Sequence, residues 1–417
     1  MTNPHYSSVE LFTGAGGLAL GVAAAGFHHR LLLEYNRDAC KTLRLNHAAF
    51  GGTACQIHEG DVRSFDFQSF AGTDLLAAGA PCQPFSIGGK HRADADDRNL
   101  FPQVFRAIRE IQPRAVLVEN VKGLLRANLA DFVEFIELQL AFPLVLPSNP
   151  LRAAGWKSHL SVLRRVSASG IRANELSYNV RKVLLNAANF GVPQRRERVF
   201  FVAIRSDIDT EWAAPAPSHS AAALRFAEEI TGSYWQGHGM RRRAAASTIL
   251  HGRLMREAGT TKPWTTVRDA LRGLPEPIKG AQFAAFVNHV GQPGARSYPG
   301  HTGSALDAPG KTLKAGVHGV PGGENMLRRV NGSVRYFTVR EAARIQTFPD
   351  SYAFTGAWGE AMRQIGNAVP VSLAQVVARS IRRCLLAADS HSPHQPRPAR
   401  RPSYVQGELS ESLVRSA

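Results

Sequence analysis

The stretch "SVELFTGAGGLALG", residues 8–21, joins a short apolar run to a glycine-rich turn and then to a helix-compatible segment. Gly14, Gly16 and Gly17 permit a tight strand-to-helix turn and let a ligand approach the backbone closely. The N–H groups at the start of the following helix favour a polar or anionic ligand group. Because such turns also occur for packing reasons, the turn by itself leaves both interpretations open.

Two acidic residues stand at the ends of the next two apolar runs. Glu34 closes the run "HRLLLE" (29–34), and Asp61 follows a shorter run in "HEGDVRSF". From these places a carboxylate at Glu34 accepts hydrogen bonds from ribose hydroxyls, and one at Asp61 accepts from an adenine amino group. The alternative for each acid is an exposed charge at a strand end. The glycine-rich turn, Glu34 and Asp61 follow three successive predicted strands, and together they favour a nucleoside cofactor.

Further apolar runs extend the same pattern and alternate with helix-compatible segments, which is typical of βαβ units covered by helices on both faces. The pattern predicts an α/β fold with a doubly wound, mostly parallel, Rossmann-like sheet. The predicted strands are "SVELF" (8–12), "HRLLLE" (29–34), "TDLLAA" (73–78), "RAVLVE" (114–119) and "RVFFVAIR" (198–205), the last paired with "NVRKVLL" (179–185).

The composition changes after Arg205. There Gly, Pro, Ser and scattered aromatic residues replace the alternation of apolar runs with helix-compatible segments. A helical sequence pattern begins again at Thr338, which is predicted to form a capping box with Glu341. The helix that starts there is predicted to end before Pro349. A second amphipathic helix follows in "VPVSLAQVVARSIRRCLLAA". The predicted division is a catalytic, cofactor-binding domain at 1–205, a smaller loop-rich domain at 206–326, a return to the catalytic domain at 327–387 and a disordered tail at 388–417.

The 417 residues include 50 Lys and Arg against 33 Asp and Glu, a formal net charge of +17. This excess predicts a polyanionic partner, although a solvated basic surface is the alternative. The four cysteines show no metal-ligand spacing and are too few for a disulfide scaffold, which indicates a reducing compartment. Without a signal-like or membrane-length apolar run, the chain is expected to be soluble and cytoplasmic.

Cys82 lies in "AAGAPCQPFS" (77–86), directly after the predicted strand "TDLLAA". An isolated cysteine is more often a buried structural side chain. Here Pro81 and Pro84 stiffen a loop, and a polar, glycine-bearing segment follows. Glu119 and Asn120 follow "RAVLVE", so a doubly wound sheet brings the thiol and the acid into one crevice beside the glycine-rich turn.

With these residues in view, the chain resembles the cytosine-C5 DNA methyltransferases that use S-adenosylmethionine, from Val9 to about Leu386 apart from a variable middle. Six segments match the family's motifs in the family's order: "FTGAGG", "APCQPFS", "VENV", "GVPQRRERVFFVAIR", "TVREAARIQTFPD" and "QIGNAVP". The resemblance implies a methyltransferase fold with a target recognition domain in the loop-rich middle. The stretch 141–170 is longer than a minimal family member needs.

The resemblance also implies residue roles that agree with chemical need. Cytosine C5 becomes nucleophilic only after a nucleophile adds at C6, and a thiolate suits that reversible addition. The resemblance assigns this attack to Cys82, the acid at N3 to Glu119, and the charge near O2 to Arg198, with Arg196 nearby. Asn120 is expected to hold the Cys82 loop, and no metal is required.

The S-adenosylmethionine contacts carry over in the same way, whereas the arginines of the DNA set are candidate phosphate or guanine contacts because they lie in the region of the target recognition domain. The cofactor set is Phe12, Gly14, Gly16, Gly17, Glu34, Tyr35, Asp61, Val62, Gln83, Leu100 and Asn367. The DNA set is Ser86, Arg241, Arg242, Arg243 and Arg253, while Trp235 and Trp264 are interpreted as core of the smaller domain. The segment "LDAPGKTLKAGVHG" (306–319) is expected at the DNA face.

The expected substrate is double-stranded DNA with the target cytosine flipped out of the helix. A restriction-modification role, with a cognate endonuclease acting on the same site, is a hypothesis, and a monomer without membrane association is expected. Three rival functions remain: a tRNA cytosine-C5 methyltransferase, a catalytically silent DNA-binding regulator and a cysteine hydrolase. The presence of Cys82, Glu119 and Arg198 together argues against the silent protein.

Overall fold

The computed structural model describes residues 5–81, 99–146, 155–169, 176–241, 248–280, 283–299, 301–315 and 323–391. Its strands are β1 (Tyr6–Leu11), β2 (Phe27–Glu34), β3 (Gln56–Glu59), β4 (Leu75–Ala78), β5 (Ala115–Val121), β6 (Tyr178–Asn186), β7 (Glu197–Arg205), β8 (His219–Ser220), β9 (Lys262–Pro263), β10 (Ser304–Ala305), β11 (Met326–Arg328) and β12 (Val334–Tyr336). Its α-helices are α1 (Gly17–Ala24), α2 (Arg37–Leu45), α3 (Phe101–Ile111), α4 (Ala130–Ala141), α5 (Trp156–Ala168), α6 (Ala221–Arg225), α7 (Ser233–Gly237), α8 (Thr248–Ala258), α9 (Val267–Leu271), α10 (Val339–Ile345), α11 (Trp358–Asn367) and α12 (Val371–His391).

Seven strands form the central sheet in the order β3-β2-β1-β4-β5-β7-β6. The pairs among β1 to β5 are parallel, whereas β7 runs antiparallel to both β5 and β6. The predicted doubly wound, mostly parallel sheet is therefore confirmed, including the pairing of the two last strands. Because the strand order reverses between β1 and β4, a crevice opens there at the carboxyl ends of the strands.

Helical layers cover both faces of the sheet because side chains of successive strand residues point to opposite faces. Leu76 and Val116 enter the hydrophobic cluster under α3 and α4. Leu75 and Leu117 enter the cluster on the other face, under α12. Each fully buried leucine or valine stabilises the fold by about 1.5–3 kcal/mol, so continuous apolar strands are favoured only between two helical layers.

The stretch 141–170 contributes helix α5 to one of these outer layers. Trp156 starts the helix and packs its ring 5.2 Å from that of Phe132 and 5.8 Å from that of Phe135, centroid to centroid. Leu160 and Leu163, three residues apart on one helix face, are buried in the same cluster. The described part of this stretch thus extends the catalytic domain's hydrophobic core beside α4.

A separate small core organises the start of the loop-rich region. Tyr234 and Trp235 are buried with Leu224, and Trp264 packs against them. The indole Nε1 of Trp264 donates to Asn189 Oδ1 over 3.0 Å, which ties this core to the segment before β7. The interpretation of both tryptophans as core residues is confirmed.

The returning segment completes the core on the α1 side of the sheet. A three-stranded sheet is formed by β10, β11 and β12. It contains strands from both sides of residue 326, where the loop-rich domain was predicted to end. The predicted capping box is confirmed, since Thr338 and Glu341 exchange side chain to backbone hydrogen bonds at the start of α10. α12 then packs along α1. None of the described helices, α12 included, is long and apolar enough to cross a membrane.

Glu10 of β1 is fully buried, and neither of its carboxyl oxygens has a hydrogen-bond partner in the described part of the chain. Burial raises the pKa of this carboxyl well above its usual range. The native state therefore keeps a proton that the unfolded chain releases, and native stability is lost as pH rises from the ordinary value toward the raised one. In Glu10→Gln this pH dependence is expected to disappear.

Urea denaturation of both proteins between about pH 5 and pH 8 measures the effect, with the variant's advantage growing by up to about 1.4 kcal/mol per pH unit. Glu211→Gln is the matched control, because Glu211 is a highly exposed carboxylate paired with Arg181. A stability difference between Glu10→Gln and the wild type that stays constant across this range would contradict the prediction.

Candidate active site

Gly79 joins the two halves of the crevice. Its backbone N–H donates to Leu11 O over 3.3 Å, which holds the end of β4 against the end of β1. A Cβ at Gly79 would lie 3.7 Å from Phe12 O and 3.9 Å from Glu119 Oε2. The glycine-rich turn and the predicted acid are therefore neighbours. Gly79 was not predicted as a site residue, although a glycine directly after a buried strand was the available signal.

The glycine-rich turn is held by Glu34. Glu34 Oε2 accepts the Gly14 N–H over 2.7 Å, and Oε1 accepts the Asn36 N–H over 2.7 Å. Burial raises the pKa of Glu34 despite these bonds. Phe12 and Gly14 both adopt positive φ angles of 57°, a conformation that costs a phenylalanine about 1–3 kcal/mol and is concentrated at ligand sites.

The sequence left open whether the glycines of this turn serve close packing or the approach of a ligand, and the structure shows that they differ in this respect. A Cβ at Gly14 would meet no described atom within 4 Å, so the space beside the turn is open. A Cβ at Gly17 would lie 2.4 Å from Val369 O, and one at Gly16 would lie 2.7 Å from Phe50 Cζ. Gly16 and Gly17 thus serve close packing, whereas Gly14 borders a space suited to a ligand.

Three of the remaining predicted cofactor residues lie near the end of β2 and differ in exposure. Tyr35, next to Glu34, is 75% exposed. The Gly60 N–H donates to Glu34 O, which brings Asp61 and the buried Val62 close to the end of β2. The carboxylate of Asp61 accepts a forked pair of bonds from Arg63, which lowers the pKa of Asp61.

Two later segments carry the predicted cofactor residues Asn367 and Leu100. The contact between Gly17 and Val369 O packs the chain just after the exposed Asn367 against the start of α1. Leu100, which precedes α3, packs on the main core. Open space at Gly14, a carboxylate at the strand end and an exposed aromatic ring are features that fit the ribose and base of a nucleoside.

Glu119 and Arg198 form a buried ion pair at the centre of the crevice. Arg198 Nε lies 2.7 Å from Glu119 Oε1, and the two side chains are about one-tenth exposed. The antiparallel register of β5 and β7 pairs Val121 with Arg198, which fixes the approach of the two side chains. Burial raises the pKa of Glu119, although Arg198 and Arg196 act in the opposite direction. A carboxyl group whose pKa is raised is suited to hold and deliver a proton.

Arg196 is fully buried, and its guanidinium group donates to backbone carbonyls of the returning segment. The acceptors are Leu313 O at 2.8 Å, Gly366 O at 2.7 Å and Ala368 O at 2.9 Å. These bonds tie the chain just before β7 to the returning segment, while the positive charge of Arg196 also acts to lower the pKa of Glu119. The catalytic role of Arg196 stays a prediction.

Two buried glutamines that were not predicted extend this arrangement. Gln194 Nε2 donates to Gln346 Oε1 over 3.0 Å, and Gln194 Oε1 accepts the Leu313 N–H over 2.9 Å. Gln346 Nε2 donates to Ile365 O over 2.8 Å. Both glutamines stand inside the quoted motifs, yet a hydrophobic pattern cannot mark a buried polar side chain whose partners lie far away in the sequence.

The predicted residues of the nucleophile loop and part of the DNA set lie outside the described residues: Cys82, Gln83, Ser86, Arg242 and Arg243. The stem of the loop is described. Asn120 Nδ2 donates to Ala80 O over 3.2 Å, so Asn120 holds the chain two residues before Cys82, as expected. Arg241 is exposed, and Arg253 pairs with Glu257 along α8 at 2.8 Å.

The segment 306–319, expected at the DNA face, is described up to residue 315 and borders the end of β7. Arg195 N–H donates to Gly310 O over 2.8 Å, and Thr312 Oγ1 donates to Arg195 O over 2.7 Å. A Cβ at Gly366 would lie 2.4 Å from the backbone nitrogen of Ala315, so the segment also packs tightly on the end of α11. It therefore lies directly beside the strand that carries Arg198.

Comparison with known proteins agrees with this geometry. The family model described as C-5 cytosine-specific DNA methylase matches residues 6–141 and 171–383, so that it omits most of the added stretch containing α5. The chain is 32% identical over 388 residues to the type II methyltransferase M.NgoMIV of Neisseria gonorrhoeae, covering 91% of this chain and 98% of that protein. It is also 32% identical over 400 residues to M.Eco47II of Escherichia coli, covering 91% and 80%.

Among solved structures, the fold is similar to that of the S. pombe Dnmt2 methyltransferase, with a TM-score of 0.53 at 18% identity over 92% of this chain and 99% of that one. The sheet order, the crevice with its buried ion pair and the sequence matches lead to one assignment. The chain belongs to the C-5 cytosine-specific DNA methylases and is a DNA cytosine-5 methyltransferase that uses S-adenosyl-L-methionine.

Proposed function

We propose that this enzyme methylates one cytosine within a specific duplex DNA site through a covalent bond between Cys82 Sγ and C6 of the base. The observation that carries the proposal is the buried Glu119–Arg198 pair beside Gly79, at the stem of the loop that bears Cys82. A thiol, a carboxyl group with a raised pKa and a guanidinium group are the side chains that activation of C5 requires.

In the proposed reaction the Cys82 thiolate adds to C6 while Glu119 donates a proton or a hydrogen bond at N3. Arg198, held by Glu119, stabilises the negative charge that develops near O2. S-adenosyl-L-methionine supplies the methyl group for C5 when it is bound. Transfer of the C5 proton to a base, return of the N3 proton to Glu119 and elimination of Cys82 then restore the aromatic ring and the free thiolate.

The nucleoside part of the methyl donor is proposed to lie beside Gly14, with Glu34 accepting from the ribose. Glu34 accepts the Gly14 N–H at Oε2 and the Asn36 N–H at Oε1, and a carboxylate has about four acceptor positions in all. Phe12 and Tyr35 supply ring surface, and Asp61 accepts from the adenine amino group. The other cofactor contacts proposed are Gly16, Gly17, Val62, Gln83, Leu100 and Asn367, of which Gly16 and Gly17 act by shaping the turn.

The target cytosine is proposed to leave the DNA stack, because C6 is inaccessible to a thiol inside a duplex. The phosphate backbone is proposed to meet Ser86, Arg241, Arg242, Arg243 and Arg253, and the net charge of +17 favours this contact. Because M.NgoMIV and M.Eco47II are named type II methyltransferases, we infer a restriction-modification role with a cognate endonuclease at the same site. Action as a cytoplasmic monomer belongs to the same proposal.

Expression in a bacterial host without DNA methylation tests this function. Bisulfite sequencing of the host DNA is expected to show one short sequence in which the same cytosine is modified nearly completely. Purified protein is then expected to methylate duplexes carrying that sequence and to leave tRNA unmodified. Methylation of tRNA alone would favour the RNA-directed rival, and no methylation of either would favour a silent DNA-binding protein.

A further inference from the structure

The glycine-rich turn is bound to the end of β2 by two hydrogen bonds. The Thr13 N–H donates to Leu33 O over 3.2 Å, and the Gly14 N–H donates to Glu34 Oε2 over 2.7 Å. Phe12, which precedes these residues, has a φ angle of 57° that is strained for a phenylalanine. A strained backbone persists only where its surroundings fix it, so the contacts around this turn determine its shape.

Tyr352 supplies a third hydrogen bond to the turn, from the segment that follows the loop-rich region. Its hydroxyl donates to Ala15 O over 2.7 Å, although the two residues are 337 positions apart in the sequence. A Cβ at Gly16 would lie 3.0 Å from the Tyr352 hydroxyl oxygen, so this side chain lies directly against the turn. Three consecutive residues, Thr13, Gly14 and Ala15, thus each have a hydrogen-bond partner outside the turn.

Aromatic neighbours fix the ring of Tyr352, which is 1% exposed. The ring centroids of Phe348, Phe354 and Phe50 lie 5.1, 5.4 and 6.3 Å from its own. Because the phenol oxygen moves only with the ring, this packing keeps it within bonding distance of Ala15 O. Burial also raises the pKa of the phenol, so the hydroxyl keeps its proton and remains a donor.

A buried arginine anchors the backbone of the same tyrosine. Arg340 is fully buried, and its Nη2 donates to Tyr352 O over 2.7 Å. The same guanidinium group donates to Pro349 O over 3.1 Å and to Val287 O over 3.0 Å. Its fixed fork of N–H donors therefore joins the loop-rich region to the segment that carries Tyr352. Both ends of Tyr352, the backbone and the hydroxyl, are thus held in place.

We propose that Tyr352 is a positioning residue for S-adenosylmethionine, because its hydroxyl fixes the glycine-rich turn in the shape that the methyl donor binds. Without this bond the turn also adopts other shapes, and the donor binds more weakly because part of its binding free energy restores the turn. Tyr352 acts through Ala15 rather than on the reacting atoms, so the rate of methyl transfer in the fully loaded enzyme stays unchanged. This inference rests on the proposed position of the nucleoside beside Gly14.

Tyr352→Phe removes only the hydroxyl and keeps the ring among its aromatic neighbours. Calorimetric titration of the full-length enzyme with S-adenosylmethionine is expected to give a Kd about threefold to tenfold higher than that of the wild type, because one buried hydrogen bond to the turn is lost. With the mapped duplex, KM for S-adenosylmethionine should rise by a similar factor while kcat stays within about twofold. A Kd within about twofold of the wild-type value, or a loss confined to kcat, would overturn the inference.

Tyr178→Phe is the matched control, because it removes a hydrogen bond of the same kind at a different place. Tyr178 is buried, and its hydroxyl donates to Pro113 O over 2.8 Å. Tyr178 begins β6 and Pro113 precedes β5, so this bond lies at the amino-terminal edge of the sheet, opposite the crevice. The control is expected to lose a similar amount of thermal stability and to keep the wild-type Kd. An equal rise of Kd in both variants would show a general loss of stability and would overturn the inference.

Glu34→Ala separates this inference from the proposed position of the methyl donor. Its Kd for S-adenosylmethionine is expected to rise about tenfold or more, because the variant loses both the bond to the Gly14 N–H and the proposed bond to the ribose. If Glu34→Ala binds weakly while Tyr352→Phe binds as tightly as the wild type, the inference is overturned and the proposed position stands. If Glu34→Ala itself binds as tightly as the wild type, the proposed position fails, and the inference fails with it.

Discussion

Cys82→Ala is expected to lower the rate of methyl transfer by at least about 10⁴-fold, because the substitution removes the thiol that adds to C6 of the cytosine. Binding of duplex DNA should remain measurable, since the phosphate contacts are independent of the thiol. Methylation of the mapped duplex with labelled S-adenosylmethionine gives the rate, and a gel-shift titration gives the affinity. Substantial turnover by Cys82→Ala would refute the assignment of the nucleophile.

Cys384→Ala provides a matched control, because Cys384 is a buried free thiol on α12 whose sulfur contacts Thr210. This variant is expected to keep its activity and to lose only some stability. A duplex with 5-fluorocytosine at the target position adds a direct readout, because fluorine cannot leave C5 as a proton. The wild type should form a denaturation-resistant complex with this duplex, and Cys82→Ala should not.

Glu119→Gln is expected to reduce the rate of methyl transfer by about 10²–10⁴-fold. The amide still accepts a hydrogen bond from Arg198 but cannot deliver a proton to N3. Because burial raises the pKa of Glu119, the wild-type enzyme holds this proton above the ordinary range of a carboxyl group. Its single-turnover rate should therefore fall as pH rises through that raised pKa, whereas the residual rate of Glu119→Gln should lack this decline.

The control for this experiment is Glu137→Gln, which removes a carboxylate on α4 that pairs with Lys182 at 2.8 Å. Its rate and pH profile should match those of the wild type. Thermal unfolding of both variants checks that a lost rate does not reflect a lost fold. An unchanged rate in Glu119→Gln at neutral pH would mean that the proton at N3 comes from another group.

The strands of the central sheet were predictable because continuous apolar runs have few other stable places in a protein of this size. The end of "RVFFVAIR" and that of β7 both fall at Arg205, and the predicted partner "NVRKVLL" lies within β6. The capping box at Thr338 was predictable for a different reason, since its two hydrogen bonds form between residues three apart.

Other features depend on partners that a local pattern does not contain. The burial of Arg196 requires carbonyls more than a hundred residues later in the chain, at Leu313 and Gly366. Likewise, the close packing of Gly17 depends on Val369, which lies some 350 residues later in the chain. The sequence motifs indicated which residues matter, but only the tertiary contacts separate those that border the reacting groups from those that hold them in place.

The packing of α12 along α1 has a consequence for the synthesis of the protein. The first helix after the glycine-rich turn is covered by residues that the ribosome adds some 350 positions later, as the Gly21–Ala374 contact shows. A nascent chain that has reached Arg205 carries all seven strands of the sheet. The apolar face of the sheet that α12 covers in the complete protein is then still exposed. Chaperone protection is most needed during that interval. Truncation before α12 would leave an aggregation-prone, protease-sensitive fragment rather than a smaller enzyme.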